Sequence, residues 1–228
     1  MSIWTRIADV IALIGESVGG FLQSVIARNP SPPEKSVAFT IGMIALGAKM
    51  AKADGVVSES EIAAFKQVFH IPEGELAAVA RVFNLAKQDT AGFETYARQI
   101  ARLFDAQHEI LEDVLDALFH IAKADNAFHP DEHGFLRQVA GIFGFTAADF
   151  ARIRARHVAA KDDPYLILGV TQDAPEEEIR RRYRELVREY HPDRHIAAGV
   201  PEEMIEIATQ RLQTVNEAYD RIMKEKAA

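Results

Sequence analysis

Between Ile179 and Ile222 the sequence leaves few folds open. Ile179, Tyr183, Leu186, Val187 and Tyr190 recur at the three- and four-residue spacing of one helical face. Arg180, Arg184 and Arg188 follow a second face at i, i+4 and i+8, with Arg181 beside them. The run stops at His191-Pro192-Asp193. Proline has no N–H for the helix and its ring clashes with the preceding turn, so the helix cannot continue and His191 and Asp193 are held at a constrained tip. A second stripe, Ile205, Ala208, Leu212, Val215, Tyr219 and Ile222, follows after a short connection and supplies the partner face. Two such faces cover each other as an antiparallel helical hairpin.

The rest of the chain reads as helical too. No run of alternating β-branched residues is bounded by hairpin turns, so the fold class is all-α. "DDPYLILGV" (162–170) predicts a short helix with a capping Asp, Pro in its first turn and a stop at Gly169. The next helix is expected from "DAPEEEI", with Asp173 or Ala174 as its cap, Pro175 in the first turn and Glu176 to Glu178 complementing the positive N-terminus. Further upstream, Leu111, Val114, Leu115, Leu118, Phe119 and Ala122 mark one helical face, with Glu112, Asp113 and Asp116 on the other. The stretch 37–50 is apolar nearly all round and predicts the buried centre of a bundle, where Gly42 and Gly47 let neighbours approach closely.

"ARNPSPPEKS" (27–36) reads as a linker and "KDDPY" (161–165) as a boundary. The expected division is an amphipathic N-terminal helix with a Pro-rich linker over 1–35, a helical domain over 36–160 and the hairpin domain over 161–228. In the first segment Ile3, Ile7, Val10, Ile11, Ile14, Val18, Phe21, Leu22 and Val25 share a face, interrupted by Asp9 and Glu16. Such a face packs on the rest of the protein, on a second copy or peripherally on a membrane; it does not resemble a signal peptide or a span. A cytoplasmic protein is expected, with any membrane contact peripheral at the inner face.

Composition limits the chemistry. A net charge of −8 disfavours sequence-independent contact with a phosphate backbone, so no nucleic-acid partner is expected. Cysteine is absent, which removes disulfides, thiol nucleophiles and Cys-based zinc. His191 and Asp193 flank a proline with no Ser or Cys beside them, so no catalytic site and no cofactor are expected. The crowded arginines beside His-Pro-Asp instead suit an acidic docking partner.

"AKADGVVSESEI" (51–62) and "AKADNAFHPDEH" (122–133) align without a gap, pairing Asp54 with Asp125 and Glu61 with Glu132. Ser58 and Glu61 form a capping box, and each copy reads as helix, tight turn, helix. The same four acids are the candidate ligands for a divalent ion. Capping is the stronger reading, because the turns lack the ligand positions of an EF-hand and the H-E-x-x-H pattern of a zinc site.

These turns, within an all-helical domain, resemble the TerB-like (tellurite-resistance-type) domain over roughly 36–157, a family whose members have been associated with metal ions through such turns. "DPYLILGV…EEEIRRRYRELVREYHPDRH…RLQTVNEAYDRI" resembles the J domain of DnaJ-type co-chaperones. That resemblance implies stimulation of a DnaK-type ATPase chaperone, with His191, Pro192 and Asp193 in the docking loop and Arg181, Arg184 and Arg188 on the charged face. It places Tyr183, Leu186, Leu212 and Tyr219 in the core, Leu212 standing where the family commonly has Phe. A TerB-like domain upstream of a J domain resembles the DjlA family of bacterial co-chaperones, some of which carry an N-terminal span. The upstream domain would then supply unfolded or specific client proteins or another partner. The alternatives are a metal- or stress-responsive TerB-like module with an accessory J domain, and a scaffold whose J domain binds without activating.

Overall fold

The computed structural model describes residues 6–7, 9, 17–28, 30–53, 59–69, 71–88, 92–104, 107–124, 130–157, 163–198 and 202–227, and all regular structure among them is helical. The bundle comprises α1 (Val18–Ala27), α2 (Pro32–Ala53), α3 (Glu59–Val68), a 3-10 turn (Glu73–Glu75), α4 (Leu76–Gln88), α5 (Phe93–Leu103), α6 (His108–Ala122), α7 (Pro130–Ile142) and α8 (Ala147–Ala155). Its centre is α2, whose residues 37–48 are all buried, as an all-round apolar helix must be. The close approaches fall at its glycines. A Cβ on Gly42 would lie 3.2 Å from Ile100, and one on Gly47 would lie 3.2 Å from Phe65.

α2 starts at Pro32, inside the stretch expected to be a linker. Prolines in a first turn cost the helix nothing, because those N–H groups lack intrahelical acceptors anyway. The described part of the N-terminal segment is spent on the same bundle: Ile7, Val18 and Leu22 are buried in its core. Gln99 of α5 also donates 2.8 Å to the carbonyl of Gly19. No helix among the described residues is long and apolar enough to cross a membrane.

The C-terminal part holds α9 (Pro164–Leu168), α10 (Glu176–Glu189), α11 (Pro192–Ala197) and α12 (Glu202–Ala227). Asp163 caps α9 by accepting from the N–H groups of Tyr165 and Leu166, and Gly169 ends it at φ 72°, in the left-handed region that favours glycine. α10 is capped by the extended backbone of Pro175, one position after Ala174 and two after Asp173, the two expected caps. α10 and α12 run antiparallel. Tyr183 stacks on Tyr219 with centroids 4.0 Å apart, while Tyr190, at the far end of α10, meets Arg211, nearer the start of α12. Ile179, Leu186, Val215, Ala218 and Ile222 fill the space between them.

On α12 the fully buried positions are Met204, Ala208, Arg211, Val215, Ala218 and Ile222, while Leu212 and Tyr219 are half-buried. That spacing is helical throughout, yet it includes an arginine. Met204 belongs to the core of the bundle, with Ala198 and Ile207 packed beside it. The hairpin therefore has a second covered face, turned toward α6.

Candidate functional site

His191-Pro192-Asp193 is more than a helix stop. His191 is the N-cap of α11, with Pro192 in its first turn, and the His191 Nδ1 accepts from the Asp193 N–H at 3.3 Å. The proline that ends α10 thus starts the next helix, and the side chains of His191 and Asp193 remain 54% and 83% exposed. The arginines climb toward this cap on the outer face of α10. Arg180, Arg181, Arg184 and Arg188 are all exposed. Arg180 Nε donates to Glu176 Oε1 at 2.8 Å, and Arg184 Nε donates to the Arg180 carbonyl at 3.2 Å. Arg181 lies 3.9 Å from both Glu178 and Glu185. These are solvated pairs with little net energy, so the cations stay available to an incoming surface.

The acids of α6 are a different matter. Glu112, Asp113 and Asp116 sit opposite the helix's apolar stripe, a placement that reads as solvent-facing, but they are 3%, 0% and 3% exposed. The hairpin and α8 cover them. Arg152 donates from both terminal nitrogens to Glu112, at 2.9 and 3.2 Å. Arg156 donates to Glu112 at 2.7 Å and to both Asp116 oxygens at 2.9 Å. The His157 ring lies over Phe119, with its Nε2 2.6 Å from Asp116.

Three residues of the hairpin domain join this network. The Tyr190 hydroxyl accepts from Arg152 at 2.9 Å and donates to Glu112 at 3.1 Å. Arg211 pairs with Asp113 at 2.9 Å, donates to the Glu109 carbonyl at 3.2 Å and lies 3.6 Å over the Tyr190 ring. Arg194, next to the tripeptide, forms an ion pair with Glu109. A polar cleft of about 390 Å³ remains beside these contacts, lined by His108, Glu109, Arg182, Glu189 and Arg194 among others.

Charge settles the protonation states. Burial alone would raise the Glu112 carboxyl, but Arg156, Arg152 and Arg211 and the hydrogen bond from Arg152 lower it to about 2. Asp116 follows the same balance: burial opposes ionisation, and Arg156 and His157 hold it well below the usual carboxylate range. Burial pushes the Tyr190 hydroxyl up, and Glu112 adds to that, so it stays a donor. Glu112 and Asp116 are therefore held as carboxylates among these cations, with a neutral Tyr190 phenol beside them.

The acidic turns are less defined. Asp54 and Asp125 lie outside the described residues, as does the side chain of Glu61, whereas Glu132 is buried in the first turn of α7. Among the described residues no group of three or more His, Asp and Glu could hold a metal ion.

Comparison with known proteins supplies the frame for both surfaces. A family model described as tellurite resistance protein TerB matches residues 40–155, and the DnaJ domain matches residues 163–227. The co-chaperone protein DjlA of Photobacterium profundum is 29% identical over 235 residues, covering 91% of this chain and 84% of that protein. DjlA of Coxiella burnetii is 30% identical over 196 residues, covering 77% of this chain and 73% of its own. The chain belongs to the DjlA family of co-chaperones. DjlA of Vibrio cholerae is similar at 25% identity over 240 residues. No solved structure matches the chain. Within this family frame, Glu109, Glu112, Asp113, Asp116 and Arg152 lie in the TerB match, and Tyr190, Arg194 and Arg211 lie in the DnaJ match. The buried network therefore joins the TerB domain to the J domain.

Proposed function

We propose that this co-chaperone docks on a DnaK-type chaperone through His191, Pro192, Asp193 and the arginine face of α10, and stimulates its ATPase. The observation that carries the reading is the exposed His191 cap standing directly above an exposed ladder of Arg181, Arg184 and Arg188. The arginines attract an acidic surface and orient the encounter. Docking stimulates hydrolysis only if the loop binds the partner's hydrolysis-competent conformation more tightly than its alternative. The TerB domain supplies the client or partner on which the chaperone acts, and the cytoplasm is the place of action.

His191→Gln tests the reading. It keeps the hairpin, whose packing lies elsewhere, and should abolish stimulation in a titration against a DnaK ATPase. Wild-type stimulation should require more protein as salt rises, because exposed charges are screened within about 10 Å at 0.1 M. Stimulation by His191→Gln equal to wild type would sink the reading.

A further inference from the structure

Tyr190 and Arg194 stand immediately before and after the HPD tripeptide, and both are held by α6. The Tyr190 hydroxyl donates to Glu112, and Arg194 pairs with Glu109 one turn away on the same helix. Arg211 braces the first anchor: its guanidinium lies 3.6 Å over the Tyr190 ring, and it donates to the Glu109 carbonyl. Yet the contact leaves the working face open, with His191 and Asp193 exposed and the arginines of α10 turned to solvent.

We propose that the acidic face of α6 is a positioning device for the HPD loop. Glu109 and Glu112, acting through Arg194 and Tyr190, hold the tripeptide and its arginine ladder in one orientation relative to the TerB domain. The inference rests on the DnaK-type reading above. Of the ion pairs between the domains, Arg211–Asp113 is buried and Arg194–Glu109 half-exposed. Buried pairs barely repay their desolvation and exposed ones add little, so they are a poor way to glue two domains together. They help to fix an angle, because Arg211 meets Asp113, the Glu109 carbonyl and the Tyr190 ring at once, and the Tyr190 hydroxyl sits between Arg152 and Glu112. A purely apolar contact would let the J domain rock. An autoinhibitory latch would cover the tripeptide, and this contact does not. With the loop held still, docking need not spend binding energy on ordering it. Whatever the TerB domain holds is then presented to the chaperone at a set angle.

The full-length Glu109→Gln/Tyr190→Phe double variant tests this while leaving the tripeptide and every arginine unchanged. In a DnaK ATPase titration its maximal stimulation should fall roughly tenfold, the factor carried by about one charge-assisted hydrogen bond. The half-maximal concentration should rise as well, since a loosened loop must be ordered on docking although the arginines still steer the encounter. Because the chain has no cysteine, nitroxide labels at Gln138→Cys and Asp220→Cys, both exposed, report the angle between the domains without any partner. Wild type should give one narrow distance distribution and the double variant a broad one. A narrow distribution in the variant overturns the claim that Glu109 and Tyr190 set the angle. Unchanged or increased maximal stimulation overturns the positioning role. If wild type itself fails to stimulate, the DnaK reading has failed instead, and the label distances still decide the orientation.

Discussion

Leu186 and Arg211 are both buried on the two long helices of the same hairpin, at 0% and 3% exposure, yet burial serves different ends at the two positions. Leu186 sits among Ile179, Val215 and Ile222, in an interior with no polar requirement, where removing apolar area from water is the whole gain. Arg211 faces Asp113, Glu109 and Tyr190, where every contact must repay the water it displaced. Apolar burial holds the J domain together and, through Met204, Ala198 and Ile207, also seats it on the bundle, while ionic burial sets how it is oriented there.

The comparison is broken or sharpened first by truncation. Glu112→Ala leaves Arg152, Arg156 and the Tyr190 hydroxyl buried without their shared acceptor. It should destabilise the chain by about 3–5 kcal/mol in urea unfolding. Leu186→Ala should cost about 2–5 kcal/mol through transfer and cavity terms. The two should part company when Arg152→Met is added, since Glu112 is the carboxylate that Arg152 pairs with, whereas Arg156 keeps Asp116. That change recovers part of the Glu112→Ala loss by removing a stranded cation, and recovers none of the Leu186→Ala loss. Equal behaviour in both backgrounds would erase the distinction.

Acid should act on the ionic network and not on the apolar hairpin interior, and more gently. The Glu112 carboxyl is lowered from 4.5 to about 2, so the unfolded chain takes up its proton first. Its stabilisation is fully present above about 4.5 and is lost as pH falls through about 2. Asp116 is lowered as well and adds to the loss with the same sign. The melting temperature should therefore decline progressively below about pH 4.5. In a Leu186→Ala background the decline should have the same slope, because the hairpin interior carries no titrating partner for it. A melting temperature independent of pH across that range would mean that the network contributes no linkage.

Much of the fold is legible in the residues. The all-round apolar run of α2, the Asp163 cap, the Gly169 stop and the paired stripes of α10 and α12 each follow from local spacing. So does the outward placement of the arginines, because a solvated helix face needs no partner. The ionic junction was hidden for the same reason. Glu112, Asp113 and Asp116 have the spacing of an ordinary wet face, and a helix cannot announce that another domain will cover it. The signal lay in registers that match only in space: acids at 109, 112, 113 and 116, Arg152 and Arg156 one turn apart, and Arg211 in the buried 3-4 spacing of α12. The start of α2 at Pro32 and the helix α11 were masked by prolines, which read as breaks and serve as first-turn residues.

The difference between the two kinds of burial is tested most directly by a double-mutant cycle on the pair that crosses the domain boundary. Arg211→Met leaves Asp113 buried without its cation, and Asp113→Leu strands the guanidinium, so each should cost about 3–5 kcal/mol in urea unfolding of the full-length chain. Together they replace an ion pair by apolar volume, and the double variant should be more stable than either single one, close to wild type. Losses that simply add, leaving the double variant the least stable of the set, would contradict an ionic junction that sets orientation rather than stability.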